Sequence, residues 1–352
     1  MPPLLQYIVK RLLAIIITLL VITSILYGVI MLTPPETRAT LYMPKGGKMT
    51  EEQYANMIQL IIRRKHLADP YPVQYYYYLS SLVEGNWGYS PVLQKDVLSA
   101  INEKAPVTAE LTLYSILVFI PLGLISGVMA GSKPGHAADN SFRLAAFVAA
   151  TFPSFILALI LMSIFYIQLY WFAPERLSTS FNILVNSDKF IKYSGLLTLD
   201  GLLNGRPDVS LDALRHLVMP VFTLAISHWS TLGRITRISM MTELQKEYIT
   251  AARARGIPAQ RITWRHALRN AIPPALTNSM LSAAALISGV FVVEVIFNLH
   301  GISEIAVKGM QDVPDAPAAL GFAIYSVIIV LLLMSSLDLI LYALDPRIRK
   351  GL

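Results

Sequence analysis

The 352-residue chain is 55% apolar, has a mean hydropathy of +0.55 and carries charge on only 14% of its residues, which is too apolar for an ordinary soluble domain. The net charge is +7, and the basic residues lie in the loops between apolar segments. The orientation of a protein in a membrane explains this distribution, so nucleic-acid binding is not expected. Cysteine is absent, which excludes disulfides, thiolate metal sites and cysteine nucleophiles. The sequence therefore predicts a protein of the lipid bilayer.

Residues 1–32 form the first predicted domain, with a transmembrane helix over residues 7–32. Lys10 and Arg11 precede about twenty apolar residues, enough to cross about 30 Å of hydrocarbon. The end of this segment has no small-residue cleavage site, so we interpret it as an uncleaved helix with its amino end inside.

Residues 33–107 are polar and form a predicted external segment. A helix is expected near residues 50–66, where Glu51 and Glu52 begin and Arg63 and Arg64 end a partly apolar stretch, as the helix dipole favours. The tyrosine run 75–78 is typical of a membrane interface, while a stacking platform for sugars or bases is the alternative.

Residues 108–344 form the predicted core. It contains an external loop at 173–213 and a cytoplasmic loop at 238–273, and residues 345–352 follow it as a cytoplasmic tail. Pro121 and Pro153 lie inside its first two spans and predict kinks. The five predicted spans of the core are residues 108–130, 142–172, 214–237, 274–297 and 318–344.

Six spans place both termini on one side, and the charges indicate which side. Eight basic residues lie between Arg234 and Arg269, whereas the short loop 298–317 has only Lys308. Long loops count weakly in the positive-inside rule, so both termini and the loop 238–273 are predicted to be cytoplasmic.

Two short helices joined by a sharp turn are predicted for the stretch from Glu247 to Pro258 and the residues 260–270 that follow it. Helix-favouring Ala and Arg residues flank Gly256 and Pro258, which interrupt the pattern. Small side chains at Ala251 and Ala252 allow another protein's surface to approach the backbone. A basic amphipathic helix on anionic headgroups, or a solvated charged loop, remains the alternative interpretation.

This stretch resembles the coupling loop of ABC importer permeases, and the dipeptide/oligopeptide/nickel class is the closest match. Six further segments resemble the same class, at residues 69–75, 84–90, 151–155, 215–220, 294–302 and 345–349. The sequence departs from the general pattern Glu-Ala-Ala, since Thr250 takes the first place and Glu247 lies three residues earlier. The motifs that carry the resemblance of the loop are Ala251-Ala252-x-x-x-Gly256 and Arg265-His266-Ala267-Leu268-Arg269-Asn270-Ala271-Ile272-Pro273.

The resemblance implies an all-α membrane protein with six transmembrane helices, a cytoplasmic coupling-helix hairpin and an external insertion after the first helix. It also implies a multi-pass permease of the prokaryotic inner membrane, which forms half of a pore with a homologous second permease and works by alternating access. Two ABC ATPase subunits and an extracytoplasmic substrate-binding protein would complete the importer. The residues that it assigns to ATPase coupling are Glu247, Thr250, Ala251, Ala252, Arg255, Gly256 and Ile257.

The implied solute is a peptide, with oligosaccharides and nickel chelates as alternatives in similar permeases. Specificity lies mostly in the binding protein, which the external segment 33–107 is expected to meet. Kinks and polar groups within spans suggest Phe152, Ser154 and Asn278 as residues of the solute pathway.

The chain is not expected to be an enzyme or to hold a cofactor. The string Pro44-Lys45-Gly46-Gly47-Lys48-Met49 lacks the first glycine of a P-loop and has Met where Ser or Thr would hold magnesium. No His-x-x-x-His pair and no Gly-x-Ser-x-Gly elbow occurs. ATP and magnesium are therefore expected in the partner ATPases.

A secondary, ion-coupled transporter is the alternative function. Glu294 and Asp338 are its candidate residues, because ionisable groups within membrane spans are costly and usually functional. Both also suit an interfacial or helix-packing role, and a secondary transporter would need no cytoplasmic hairpin.

Overall fold

The computed structural model describes residues 3–40, 42–43, 50–310 and 315–344. The chain divides into two compact units, one of residues 1–104 with 304–329 and one of residues 105–303 with 330–352. Helices dominate, and one short antiparallel pair places Tyr89 opposite Asp96. The string 44–49 and the segment 345–349 lie outside the described residues.

Helices of the amino-terminal part are α1 (Pro3–Met31), α2 (Pro35–Thr40), α3 (Glu51–Arg64) and α4 (Tyr71–Val83), followed by β1 (Tyr89–Ser90) and β2 (Lys95–Asp96). Next come α5 (Val97–Ser132), α6 (Ala137–Thr151), α7 (Ser154–Leu161), a π-helical segment (Met162–Gln168), α8 (Thr179–Val185), α9 (Leu197–Leu203) and α10 (Pro207–Leu244). The remainder is α11 (Glu247–Ala254), α12 (Ala259–Arg261), a second π-helical segment (Ile262–Ala267), α13 (Leu268–Ile296), α14 (Ser303–Met310) and α15 (Ala316–Leu344).

Four helices in the described ranges are long and apolar enough to cross a membrane: Ile8–Met31, Val97–Ser132, Pro207–Leu244 and Ala316–Leu337. A fifth span results if Ala137–Thr151 and Ser154–Gln168, which meet at 97°, are counted together. In α13 the apolar stretch Leu281–Ile296 is shorter than these. The all-α membrane class is therefore confirmed, while six spans remain a prediction.

The predicted third span, residues 142–172, is broken rather than merely kinked. Phe152 has an extended backbone (φ −91°, ψ 118°), and Pro153 begins the next helix without a backbone N–H. Proline disfavours helical geometry in the residue before it, so the chain turns through 97° at this point.

The predicted helix near residues 50–66 is confirmed as α3. Its start is a capping box: the backbone N–H of Gln53 donates to Thr50 Oγ1 (3.3 Å), and the backbone N–H of Thr50 donates to Gln53 Oε1 (3.1 Å). Ile58, Ile61 and Ile62 form its buried face.

Tyrosines of α4 attach this helix to α1. The hydroxyl of Tyr71 donates to the carbonyl of Ser24 (2.6 Å), and that of Tyr75 donates to the carbonyl of Leu20 (2.9 Å). Tyr76 points outward, with 69% of its surface exposed. The tyrosine run thus joins two helices on one face and leaves aromatic surface on the other.

Glycines of α5 bring its backbone against that of α10 in the second unit. They lie four residues apart, at positions 123, 127 and 131, and so share one helix face. A Cβ on Gly127 would stand 2.6 Å from the carbonyl oxygen of Gly233, and a Cβ on Gly131 would stand 2.6 Å from that of Arg237. Such spacing of small residues is typical of close helix pairs in membranes.

We predict that Gly127→Ala destabilises the protein, whereas Gly28→Ala in α1 does not. A Cβ at position 28 meets its nearest atom, Tyr71 Cε2, at an ordinary 3.7 Å. Alanine gains about 1 kcal/mol over glycine in helix propensity, but overpacking costs about 1–3 kcal/mol. The thermal midpoint in detergent should fall for the first variant and stay equal or rise for the second. Equal midpoints would contradict the close packing of α5 on α10.

Candidate functional site: the Gly256 hairpin

The Gly256 hairpin, defined as residues 247–267, turns sharply at a glycine. Gly256 has φ +72°, a conformation that glycine adopts without steric cost. Its backbone N–H donates to the carbonyl of Arg253 (2.9 Å), and that of Ile257 donates to the carbonyl of Ala252 (3.2 Å). This pair of bonds is a Schellman motif, which ends α11 and satisfies its last carbonyls before α12 begins.

The inner side of the hairpin rests on a buried apolar cluster. Ile249 is fully buried and Ala252, three residues later, is 8% exposed, so the two lie on one face of α11. The cluster joins them to Val128 of α5 and Met240 of α10, and to Ile262, Ala267 and Ala271. Three helices, α5, α10 and α13, thus hold the hairpin in place within the second unit.

The predicted coupling residues divide between the two sides of the hairpin. Glu247, Thr250, Ala251, Arg255 and Gly256 are exposed, whereas Ala252 is buried and Ile257 half-buried in the apolar cluster. A Cβ on Gly256 would meet no atom within 4 Å in the described structure. Of the two small residues, only Ala251 leaves the backbone open to an approaching surface.

A polar network at the base of α11 was not predicted from the sequence. The Tyr248 hydroxyl donates to Glu243 Oε2 (2.9 Å) and accepts from Asn270 Nδ2 (3.1 Å), so it connects the end of α10 with the start of α13. Lys246 Nζ also donates to Glu243. The available signal was the spacing of Glu243 and Lys246 by three residues, which is typical of helix ion pairs.

Tyr248 remains protonated in this network. Partial burial is the main cause that raises the pKa of its hydroxyl above the ordinary value. The bond from Asn270 opposes this rise in pKa, and the bond to Glu243 adds to it. The neutral hydroxyl can therefore act as a donor and an acceptor at once.

The outer side of the hairpin is basic. Five arginines are exposed there and on the first turn of α13: Arg253, Arg255, Arg261, Arg265 and Arg269. This surface suits an acidic protein cleft, and it also suits anionic headgroups, which was the alternative left open by the sequence.

Comparison with known proteins identifies the family. Residues 120–350 match the family described as binding-protein-dependent transport system inner membrane component, and residues 4–112 match its amino-terminal membrane component. The chain belongs to this family. The match makes it a transport permease and gives no support to the secondary-transporter alternative.

Three relatives of this permease match it over 84% or more of its length. The oligopeptide transport system permease protein AppB of Bacillus subtilis is 31% identical, over 97% of this chain and 98% of its own. The di/tripeptide transport system permease protein DppB of Pseudomonas aeruginosa is 28% identical, over 98% and 99%. The probable D,D-dipeptide transport system permease protein DdpB of Escherichia coli is 30% identical, over 84% and 85%. These relatives are transport permeases and not enzymes.

Two of the three predicted pathway residues of this permease lie at the break between α6 and α7. Phe152 is 38% exposed there, and Ser154 begins α7. A Cβ on Gly289 of α13 would lie 3.8 Å from Ser154 Oγ, so α7 begins close to α13. Asn278 belongs to α13, but its side chain lies outside the described part of the structure. Their role in the pathway remains a prediction.

Glu294 is enclosed by hydrogen-bond donors near the end of α13. Its carboxylate is 1% exposed and accepts from Thr108 Oγ1 (2.5 Å) and from Ser303, through Oγ (2.5 Å) and the backbone N–H (3.1 Å). Gly301 is required beside it, because a Cβ there would lie 2.2 Å from Glu294 Oε1. These bonds tie α13 and its following loop to α5, which favours a packing role. The side chain of Asp338 lies outside the described residues.

We predict that Ile249→Ala loosens the Gly256 hairpin, whereas Thr250→Ala does not. Removing a fully buried isoleucine side chain from the cluster costs about 2–5 kcal/mol, while Thr250 is exposed. Limited trypsin cleavage at Arg253, Arg255 and Arg261 should be several-fold faster in the first variant than in the wild type. Equal cleavage in both variants would show that the cluster does not hold the hairpin.

Proposed function

We propose that this chain is one of two pore-forming subunits of an ATP-driven importer of short peptides. The Gly256 hairpin is its contact with the ATPases, through Glu247, Thr250, Ala251, Arg255 and Gly256 on the exposed side. Ala252 and Ile257 support this contact indirectly, because they pack in the buried cluster and hold α11 in position.

The division of the hairpin into a buried base and an open outer side carries this proposal. A surface that transmits a movement must be rigidly attached to the moving helices and free to meet its partner. The apolar cluster supplies the attachment to α5, α10 and α13, and the exposed side supplies the contact surface. A solvated loop or a helix lying on headgroups would need no such attachment.

Peptides are the proposed solute because three matching relatives are named as permeases of oligopeptide, di/tripeptide and D,D-dipeptide systems. Oligosaccharides and nickel chelates, which the sequence left open, are not among these names. The solute pathway is proposed to pass the α6–α7 break with Phe152 and Ser154, together with Asn278.

The membrane topology is proposed to have six spans and both termini in the cytoplasm, in the inner membrane of a prokaryotic cell. The four or five spans of the described structure support it, with α13 as the remaining one. The eight basic residues between Arg234 and Arg269 favour placing the hairpin in the cytoplasm, where ATP is available.

The partners are a homologous second permease, two ABC ATPase subunits and an extracytoplasmic substrate-binding protein. ATP and magnesium are bound by the ATPases, and this chain binds neither. ATP binding draws the ATPases together, and the hairpin transfers that movement to α5, α10 and α13. Because these helices pack as one body, a shift of the hairpin changes which side of the membrane the pore faces.

The test is Gly256→Arg in the complete transporter, with Gly205→Arg as the matched control. Both glycines have positive φ, +72° and +67°, and at both an added Cβ meets no described atom within 4 Å. The two variants therefore carry the same backbone strain, but Gly205 lies in the predicted external loop. We expect Gly256→Arg to lower ATPase co-purification or peptide-coupled ATP hydrolysis at least tenfold, and Gly205→Arg to leave both unchanged.

Equal activity in the two variants would contradict the proposed contact. Peptide uptake into vesicles, measured with ATP and separately with an ion gradient alone, tests the energy source. Uptake is expected only with ATP, and uptake driven by the gradient alone would support the secondary transporter instead.

A further inference from the structure

The first unit contains a cavity that the coupling function does not use. Its volume is about 470 Å³, within the size range of small-ligand pockets. Residues of α1, α2 and α4, the end of α3 and the loop 86–89 line it, together with the start of α15. Its charged and aromatic lining includes Arg38, Arg64, Lys65, His66, Tyr42 and Tyr77.

Cations outnumber anions in the cavity lining. Arg38, Arg64 and Lys65 are positively charged, whereas His66 is already paired with a carboxylate, since its Nδ1 lies 2.8 Å from Asp69 Oδ2. Asp96 is the one carboxylate among the described lining residues. An anionic group is therefore attracted to this cavity, and a zwitterion can place its ammonium group near Asp96.

Arg38 is the innermost of these cations, with only 6% of its surface exposed. Its Nη1 donates to Gln74 Oε1 (3.0 Å) and its Nη2 to the carbonyl of Leu67 (2.7 Å), which are both neutral acceptors. Nε has no hydrogen-bond partner in the described structure, and neither has the buried hydroxyl of Tyr78.

The two neutral bonds of Arg38 give it a structural role, because they link α2 to α4 and to the loop that follows α3. They leave its charge uncompensated, since no carboxylate of the described residues forms an ion pair with it. A buried charge without a counterion is costly. A bound carboxylate removes that cost, so the cavity is better suited to an anion than to water alone.

Aromatic rings provide the apolar part of the cavity. Lys65 Nζ lies 5.4 Å from the ring centre of Tyr42, and the ring of His66 stacks on that of Tyr77 at 4.7 Å. Tyr27 and Tyr78 stack at 4.6 Å. Rings beside cations accommodate a ligand that has an apolar side chain next to a carboxylate.

We propose that this cavity binds a short peptide with a free carboxylate, holding the carboxylate with Arg38, Arg64 and Lys65 and an apolar side chain against the tyrosines. The proposal rests on the proposed function for its choice of a peptide. It assigns to the segment before α5 a direct contact with the solute, in addition to any contact with a binding protein.

The test measures binding of labelled alanyl-phenylalanine to the purified full chain in nanodiscs, without ATPases or binding protein. The peptide with its carboxylate blocked as the amide is the ligand control. The variant is Arg64→Gln with Lys65→Gln, and Arg63→Gln is the matched control, because Arg63 is also exposed but does not line the cavity. All three side chains are exposed, so folding is retained.

We expect the acid to bind at least tenfold more tightly than the amide. The double variant should weaken binding of the acid about tenfold, and Arg63→Gln should leave it unchanged. Absence of acid binding, equal affinity for the amide, or an equal effect of Arg63→Gln would each overturn the proposal. Binding of the acid only in the presence of an added binding protein would also overturn the proposal, since the carboxylate site would then belong to that protein.

Import of the same peptide by the assembled transporter is measured in parallel. If ATP-driven import proceeds while the isolated chain does not distinguish acid from amide, the cavity proposal alone fails. If the assembled transporter imports no peptide, the proposed function fails, whatever the cavity binds.

Discussion

Close approach of α5 to α10 is the constraint on which the end of the second unit that carries the Gly256 hairpin depends. Gly123, Gly127 and Gly131 offer no side chain, so α5 lies directly on the α10 backbone around Gly233. Without a hydrophobic driving force between helices in lipid, such contact is a main source of their association. It also fixes Val128 of α5, between the last two glycines, in one cluster with Met240 of α10.

That cluster explains why an eight-residue helix can serve as a rigid part. An isolated helix as short as α11 is unstable in water, because the cost of nucleating it exceeds what so few hydrogen bonds return. Ile249 and Ala252 attach it to the platform formed by Val128 and Met240, and the Schellman turn at Gly256 ends it cleanly. The exposed residues of the hairpin are then held in fixed positions. Ala251 contributes nothing to the packing, and its small side chain leaves this surface accessible to a partner.

The sequence predicted the membrane class, the helix α3 with its charged ends, and a hairpin turning at Gly256. The first two depend on local composition, and the third depends on a glycine, which adopts positive φ without steric cost. It did not separate Ala251 from Ala252, since adjacent residues of a helix differ in environment only once the helix has a neighbour. It did not predict the 97° break at Pro153, the network of Glu243, Tyr248 and Asn270, or the uncompensated charge of Arg38. Those features depend on contacts between segments far apart in the chain, which local patterns do not contain.

The most direct test of the proposed coupling contact is site-specific cross-linking, because this chain has no cysteine of its own. Single cysteines replace Ala251, on the open side of α11, or Ala173, which is exposed in the predicted external loop. A short thiol-to-amine cross-linker is then added to the complete transporter in membranes. If the exposed side of α11 meets an ATPase, Ala251→Cys is joined to an ATPase subunit and Ala173→Cys is not. Absence of an ATPase adduct at position 251, with the complex intact, would contradict the proposed contact.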